Sequence, residues 1–341
     1  MRVLVIGGTG FLGTHVVNRL IDKKYDVFLF NKDGSSREEV REVILEDRKN
    51  IKKYRNKFES LKLDVVIDVV PYFKKDAEDV ITTFKGITRK LVAISSSDVY
   101  YAFGILNNLE TGSIVNDSLT EKSKLRKSRF IYHGVGGGMD EYEKIHIEEV
   151  YMKSEDINIT ILRVPMIYGP GDRYHRLFEY IKRMADDRPC ILMEEGFSQW
   201  KWSKIYVKNL VEAVLLTIES GKSNGKIYNV ASSETVTMKE WVLKIGRVFG
   251  WEGKIFSLSP DALPDRFCTS MNTKQNIIID SSLIRKELYY KEKYSIEEAI
   301  KETIDWENEN PPKNIPLGYF DYKLENEIIK THKLIPKVKT E

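Results

Sequence analysis

The chain opens on Val3-Leu-Val-Ile6, followed by glycines at every third position: Gly7, Gly10 and Gly13. The apolar run is short, β-branched and bounded by glycine, as a buried parallel strand is. Beyond it, Val16, Val17, Leu20 and Ile21 recur with a helical period. Strand, glycine turn and helix in this order place a pyrophosphate on a helix N-terminus. Gly7 permits the tight turn, Gly10 lets the backbone approach the phosphates, and Gly13 lets the helix sit against the strand. Thr9, Phe11 and Leu12 fill the same turn and join the candidate cofactor-binding residues. The alternative is a bland glycine-rich turn; the strand before and the helix after favour dinucleotide binding.

Asp26-Val-Phe-Leu-Phe30 reads as the second strand and ends at Asn31 and Lys32. This strand end meets the adenosine ribose, where an acid would select NAD. Asn31 is neutral, and Lys32 and Arg37 follow, a pattern suited to a 2′-phosphate; it favours NADP over NAD, with Asp33 as a second possible ribose ligand. Val43-Ile-Leu45 is a short third strand, and Asp47 beyond it is placed to reach the adenine edge or to join a solvated charge cluster. Asp64 to Val70, stopped by Pro71, and Leu91 to Ser96 are two more strands, with a helix across 76–84 between them. Strands alternating with helices at this pace predict a doubly wound parallel α/β sheet, a Rossmann fold. Ligands gather outside the C-terminal strand ends, the location of Val70 and the serines before Asp98, and of Pro165 after the strand Ile159–Val164.

The chain has 341 residues, enough for one large α/β domain and a smaller one. Residues 1–164 with about 204–231 read as the dinucleotide-binding domain, 165–203 and 232–320 as a substrate domain, and 321–341 as a tail that packs over the surface or frays. Residues 103–138 are irregular and end in Gly134-Val-Gly136-Gly137-Gly138, a lid or a plain insertion. Helices are expected over 139–154, 176–188 and 209–220, and Thr237/Glu240 and Ser295/Glu298 each fit a capping box. A net charge of +3 implies neither nucleic acid nor an anionic membrane as partner. Two distant cysteines and scattered histidines predict no metal site and no disulfide. No apolar stretch approaches the ~20 residues of a membrane span, and with no signal-peptide pattern the expected location is cytoplasmic.

Taken together, the motifs resemble the extended short-chain dehydrogenase/reductases of the NAD-dependent epimerase/dehydratase family. The matching residues are Gly7-Gly-Thr-Gly10-Phe-Leu-Gly13, Ile94-Ser-Ser-Ser-Asp-Val-Tyr100, Lys144-Ile-His-Ile-Glu148, Leu162 to Gly171, Ile205-Tyr-Val207 and Ile227-Tyr-Asn-Val230. They span about residues 1–305 in the family's order. The resemblance implies hydride transfer on a small-molecule substrate, a nucleotide-linked sugar or related polyol, by a homodimer. It implies that Ser96 orients the substrate hydroxyl, that a tyrosine on the following helix is acid/base, and that Lys144 binds the nicotinamide ribose and lowers the phenol's pKa. Asp98 falls where the family's sugar 4,6-dehydratases carry an acid used in elimination.

One helix departs from the pattern. With Lys144 in register, Asp140 stands where the tyrosine belongs, and Tyr142 precedes Lys144 by two residues. Two residues turn a helix by about 200°, so the two side chains cannot share a face of a regular helix. Three arrangements remain open: Asp140 as the acid/base, Tyr142 paired with His146 four residues on, or a helix that begins at about Glu141 and leaves Tyr142 on an irregular first turn. Tyr168, Arg173, His175 and Arg176 around the Gly-Pro-Gly turn, and Trp200 and Trp202, are weaker substrate candidates. A second reading is a dinucleotide-binding protein without redox turnover, a regulator or RNA-binding factor of the kind represented by chloroplast stem-loop RNA-binding proteins.

Overall fold

The computed structural model describes residues 1–32, 34, 38–316 and 318–334. Six strands form in chain order: β1 (Arg2–Ile6), β2 (Asp26–Asn31), β3 (Glu42–Leu45), β4 (Val65–Asp68), β5 (Lys90–Ser96) and β6 (Asn158–Val164). After β7 (Met166–Tyr168), β8 (Cys190–Glu194) and β9 (Lys204–Tyr206), β10 (Lys226–Asn229) rejoins the first six in one sheet, before a last strand, β11 (Lys254–Leu258). The seven-stranded sheet runs β3-β2-β1-β4-β5-β6-β10, and every pairing is parallel. β1 lies inside the sheet, with Val3 opposite Val27 on one side and Val65 on the other.

The period-2 alternation of β1 serves both faces. Val3 and Val5 enter one apolar core, Leu4 and Ile6 a second on the opposite side. This two-sided burial is why the strand reads as an unbroken apolar run. The chain leaves β1 for β2 on one side and crosses back to β4 on the other. A crevice opens at that reversal, outside the C-terminal strand ends.

The helix Phe11–Asp22 packs Val16, Val17 and Leu20 into the first core, as their spacing predicts. The expected helix over 139–154 is shorter: it runs Lys144–Met152. Gly134, Gly136, Gly137 and Gly138 all have φ between 70° and 86°, which turns the chain repeatedly before it, and Glu143 caps the helix by accepting the Ile145 N–H. Both capping boxes form, at Thr237 with Glu240 and at Ser295 with Glu298.

The second half is more regular than its sequence suggests. β8 pairs with β11 and β7 with β9, both in parallel. β8 and β11 lie about sixty residues apart, and nothing local in either segment marks the pairing. The tail is not a frayed end as far as it is described. Tyr322–Thr331 is a helix whose Glu325 is buried against Arg183 (2.9 Å) and Arg188 (3.5 Å).

A cofactor cradle beside a buried tyrosine–aspartate pair

The glycine turn has the geometry its spacing requires. Gly7 has φ +85°, and a Cβ there would lie 2.6 Å from Val70 Cγ2. A Cβ on Gly13 would lie 2.0 Å from the Gly7 carbonyl oxygen, so only glycine allows the helix this close to the turn. Gly10 precedes the helix without a side-chain cap, so its first-turn N–H groups have no side-chain acceptor at Gly10. At the end of β2, Asn31 is buried, and neither its Oδ1 nor its Nδ2 has a hydrogen-bond partner among the described residues. An orphaned amide is costly unless a ligand completes it. The cradle and this amide together fit the pyrophosphate and adenosine ribose of a dinucleotide. Lys32 is exposed, with its ammonium 3.9 Å from Asp47, and Asp47 caps the short helical turn that follows by accepting the Lys49 N–H. Asp33 and Arg37 lie outside the described residues.

A cleft of about 380 Å³ continues from the cradle. Gly10, Phe11, Leu12, Gly13, Val70 and Pro165 line it, and so do Ser96, Tyr142 and Lys144. Ser96 is the last residue of β5. Its hydroxyl accepts the Asp98 N–H at 3.2 Å, capping a turn that swings Asp98 inward. Lys144 is the first residue of its helix, and its ammonium donates to the carbonyls of Pro71 (2.5 Å) and Ile94 (3.1 Å).

The structure is nearest the third arrangement, but the helix begins three residues later than expected, at Lys144, and leaves Tyr142 outside it. Glu143 is extended (φ −158°, ψ 101°), so the 200° argument does not apply to Tyr142 and Lys144. Tyr142 sits in the turn before the helix, and its hydroxyl donates to Asp98 Oδ2 at 2.7 Å. The Lys144 ammonium lies over the Tyr142 ring, 5.8 Å from its centre, and its hydrogen bonds go to backbone carbonyls and not to the phenol oxygen. Asp140 is exposed, does not line the cleft, and accepts the Gly134 N–H at 2.8 Å. His146 packs edge-on against Phe130, not against Tyr142.

Burial sets the proton affinities of this group. It pushes the Asp98 carboxyl up from the ordinary value, against the Tyr142 hydrogen bond and the Arg126 charge, which hold it down. Burial, and then the Asp98 charge, push the Tyr142 phenol well above 10. Burial lowers the Lys144 ammonium to about 8, with Asp98 and Asp68 opposing.

Two buried ion-pair networks support the site, and the sequence reading missed both. Arg48 makes a two-pronged contact with Asp68 (3.0 Å each), lies 3.1 Å from Asp76, and donates to the Val70 carbonyl at 2.7 Å; Tyr151 donates to Asp68 from the Lys144 helix. An aspartate inside the apolar run Val65–Val70 was the available signal, because a fully buried carboxylate must be paired. In the second network, fully buried Arg126 pairs with Glu143 at 3.0 Å and donates to the Asp98 carbonyl. Glu143 also accepts the Phe130 N–H at 3.1 Å. These contacts fasten the 107–143 excursion to the start of the Lys144 helix, and nothing local in the sequence announces them.

The weaker candidates divide. Arg173 and Arg176 line the cleft, with Arg176 paired to Asp172 at 2.6 Å. His175 bonds Glu307 at 2.6 Å and stacks on Trp306. Tyr168 and Trp200 are core residues, and Trp202 stacks on Trp200.

The parallel sheet, the glycine cradle and the Ser96, Tyr142 and Lys144 cleft define a dinucleotide-binding α/β protein. More narrowly, residues 3–231 match the model of the NAD dependent epimerase/dehydratase family, and the chain belongs to that family. A dTDP-D-glucose 4,6-dehydratase of Dictyostelium discoideum is 23% identical over 72% of this chain and 61% of its own length. Chloroplast stem-loop binding protein of 41 kDa b from Arabidopsis thaliana is 23% identical over 69% of this chain and 60% of its length. The chain thus spans about three fifths of both relatives. The solved structure of UDP-glucuronic acid 4-epimerase from Bacillus cereus, in complex with UDP-glucuronic acid and NAD, superposes with a TM-score of 0.67 at 19% identity, covering 91% of this chain and 99% of that one. At that identity it establishes the shared fold.

Proposed function

We propose that this protein is an NAD(P)-dependent enzyme acting on a nucleotide-linked sugar or related polyol, by epimerisation, dehydration or reduction. The observation that carries the reading is the convergence of Ser96, Tyr142 and Lys144 on the cleft that begins at the glycine cradle. The relatives' names support it: a sugar-nucleotide dehydratase and a sugar-nucleotide epimerase share this family or fold. A bound nicotinamide supplies a reversible hydride acceptor at the substrate carbon. The chain's own residues do the rest. Lys144 holds the ribose, Ser96 orients the reacting hydroxyl, and Tyr142 moves its proton. Residues 165–203 and 232–320 hold the sugar nucleotide, in a cytoplasmic homodimer.

The test is direct. The purified full chain is expected to bind NAD or NADP, and Lys144→Ala to lose most of that binding. Incubation with UDP-glucose or dTDP-glucose is expected to invert a carbinol centre or eliminate water, read by NMR of the sugar. Cofactor retention at wild-type level in Lys144→Ala would remove Lys144 from the site. Tight cofactor binding with no turnover of any sugar nucleotide would leave the non-redox reading. We extend the proposal to a preference for NADP, on the neutral Asn31 amide and the exposed Lys32 ammonium next to it. Lys32→Glu is then expected to weaken NADP more than NAD, as measured by calorimetry; equal weakening would refute the preference.

A further inference from the structure

The tyrosine of this site has a carboxylate as its hydrogen-bond partner where an ammonium is expected. Tyr142 Oη donates to Asp98 Oδ2 at 2.7 Å, while Lys144 directs two of its three N–H donors to backbone carbonyls. The other Asp98 oxygen, Oδ1, is buried and has no hydrogen-bond partner among the described residues. Arg126 Nη2 stands 3.7 Å from it, charged but too far to donate. A fully buried carboxylate with one free oxygen, one phenol donor and a guanidinium nearby is poised to receive a proton.

We propose that Asp98, not Lys144, is the proton partner of Tyr142, so that the acid/base of this enzyme is a Tyr142–Asp98 relay held in place by Arg126. The inference rests on the reading of the cleft as a site of hydride transfer. In the oxidative direction the substrate O–H bond breaks and its proton goes to Tyr142 Oη. In the same motion the Tyr142 O–H bond breaks and its proton goes to Asp98 Oδ2. The electron pair freed on the substrate oxygen forms the C=O bond, and the two electrons of the C–H bond leave with hydrogen to an oxidised nicotinamide, the oxidant. The net change on the protein is one proton gained by Asp98. The return half-reaction reverses each bond change.

Tyr142 never has to persist as a phenolate in this scheme, which agrees with a phenol that burial makes hard to ionise. A buried carboxyl whose pKa is raised is also a stronger base than an exposed one. The groups that face Asp98 are the Tyr142 and Ser96 hydroxyls, the Arg126 guanidinium and the Lys144 ammonium, with Tyr132 behind Tyr142 at 5.1 Å between rings. Arg126 acts through Asp98 and is a positioning residue. Its Nε donates to the Asp98 carbonyl, and its charge favours the ionised carboxylate that the relay needs at the start.

The decisive measurement needs no substrate. The full chain is prepared with isotopically labelled tyrosine, the Tyr142 resonance is assigned by its loss in Tyr142→Phe, and its ionisation is followed by NMR. Asp98→Asn is expected to lower the Tyr142 midpoint by at least about one pH unit, because it removes the adjacent negative charge. Lys144→Ala is expected to move it less. A midpoint unmoved by Asp98→Asn but raised by Lys144→Ala would make the ammonium the partner and overturn the proposal. A second arm uses NAD+ with UDP-glucose. Asp98→Asn is expected to lose at least about a hundredfold in kcat with cofactor affinity kept, and Asp98→Glu to recover part of it. Arg126→Met is expected to shift the acid limb of kcat upward, since Asp98 then holds its proton more tightly; an unmoved limb would overturn the role given to Arg126. Wild-type protein inert toward UDP-glucose would count against this substrate, while the titration still decides the relay.

Discussion

Lys144 shows what the site costs the fold. Its ammonium is fully buried, with a pKa of about 8 against the ordinary 10.5. Between those two values the unfolded chain binds a proton that the folded chain has released, so stability rises with pH across this window. Below about 8 both states are protonated and the burial penalty is present in full. Lys144→Met is therefore expected to stabilise the cofactor-free protein near neutral pH by roughly 1–3 kcal/mol, after allowance for the two carbonyls left without a donor. The advantage should shrink as pH rises from 8 towards 10.5. Thermal unfolding of both proteins across this range measures it; a pH-independent difference would refute the assigned burial. The same substitution abolishes the proposed ribose contact, which is a common trade between stability and function.

Asn31 was legible only as a position. The end of β2 predicts a ribose contact, but that both amide atoms would be buried without partners required the packed structure. Tyr142 marks the opposite limit. Helical geometry set it against Lys144, and the conflict dissolves because the chain is extended at Glu143. Glu143 is held there by contacts remote in sequence, its side chain by Arg126 and its N–H by the Tyr72 carbonyl, which no local pattern encodes.

Among the elements, the glycine turn separates fold from function. A Cβ on Gly13 would meet the Gly7 carbonyl at 2.0 Å, whereas a Cβ on Gly10 would have that oxygen as its nearest neighbour at 3.5 Å, an ordinary contact. Gly13→Ala is therefore expected to lower stability by about 2 kcal/mol or more, since backbone must move. Gly10→Ala is expected to leave the melting temperature within a degree or two and still weaken cofactor binding, because the methyl enters the cleft that Gly10 lines. Comparing melting temperature with cofactor titration for the pair tests the assignment; loss of both properties in Gly10→Ala would contradict it. β1, β2 and β5 were readable because they are buried on both faces and their apolar runs are continuous. β8 and β11 were not, because each gains its meaning from a partner remote in sequence.

At the scale of the molecule, the last helix is fastened to the second half of the chain by one buried carboxylate. Glu325 is 2% exposed and answers two arginines, Arg183 and Arg188, that are themselves nearly buried. Removing one member of a buried ion-pair network leaves charges uncompensated. Glu325→Ala is expected to cost about 3 kcal/mol in chemical denaturation while the cofactor affinity of the folded protein stays unchanged, because the glycine cradle lies on other elements. A fall in cofactor affinity at constant stability would reverse that separation.

The clamp between Arg126 and Glu143 also decides which parts of the molecule can open apart from one another. The dinucleotide cradle belongs to strands whose hydrogen bonds form the centre of the sheet. The partnership of Tyr142 with Asp98 depends on the outer part of the excursion, 127–143, which is loops and turns fastened by the contacts of Arg126 and Glu143, whereas 115–126 is pinned to the core by bridges at Leu119 and Leu125. Local openings begin in segments of the second kind. Amide hydrogen exchange should therefore show 127–143 exchanging well ahead of β1 and β5. In that open state the protein would still grip its dinucleotide while its proton-transfer pair was disassembled, so occupancy and competence are separate properties of this chain.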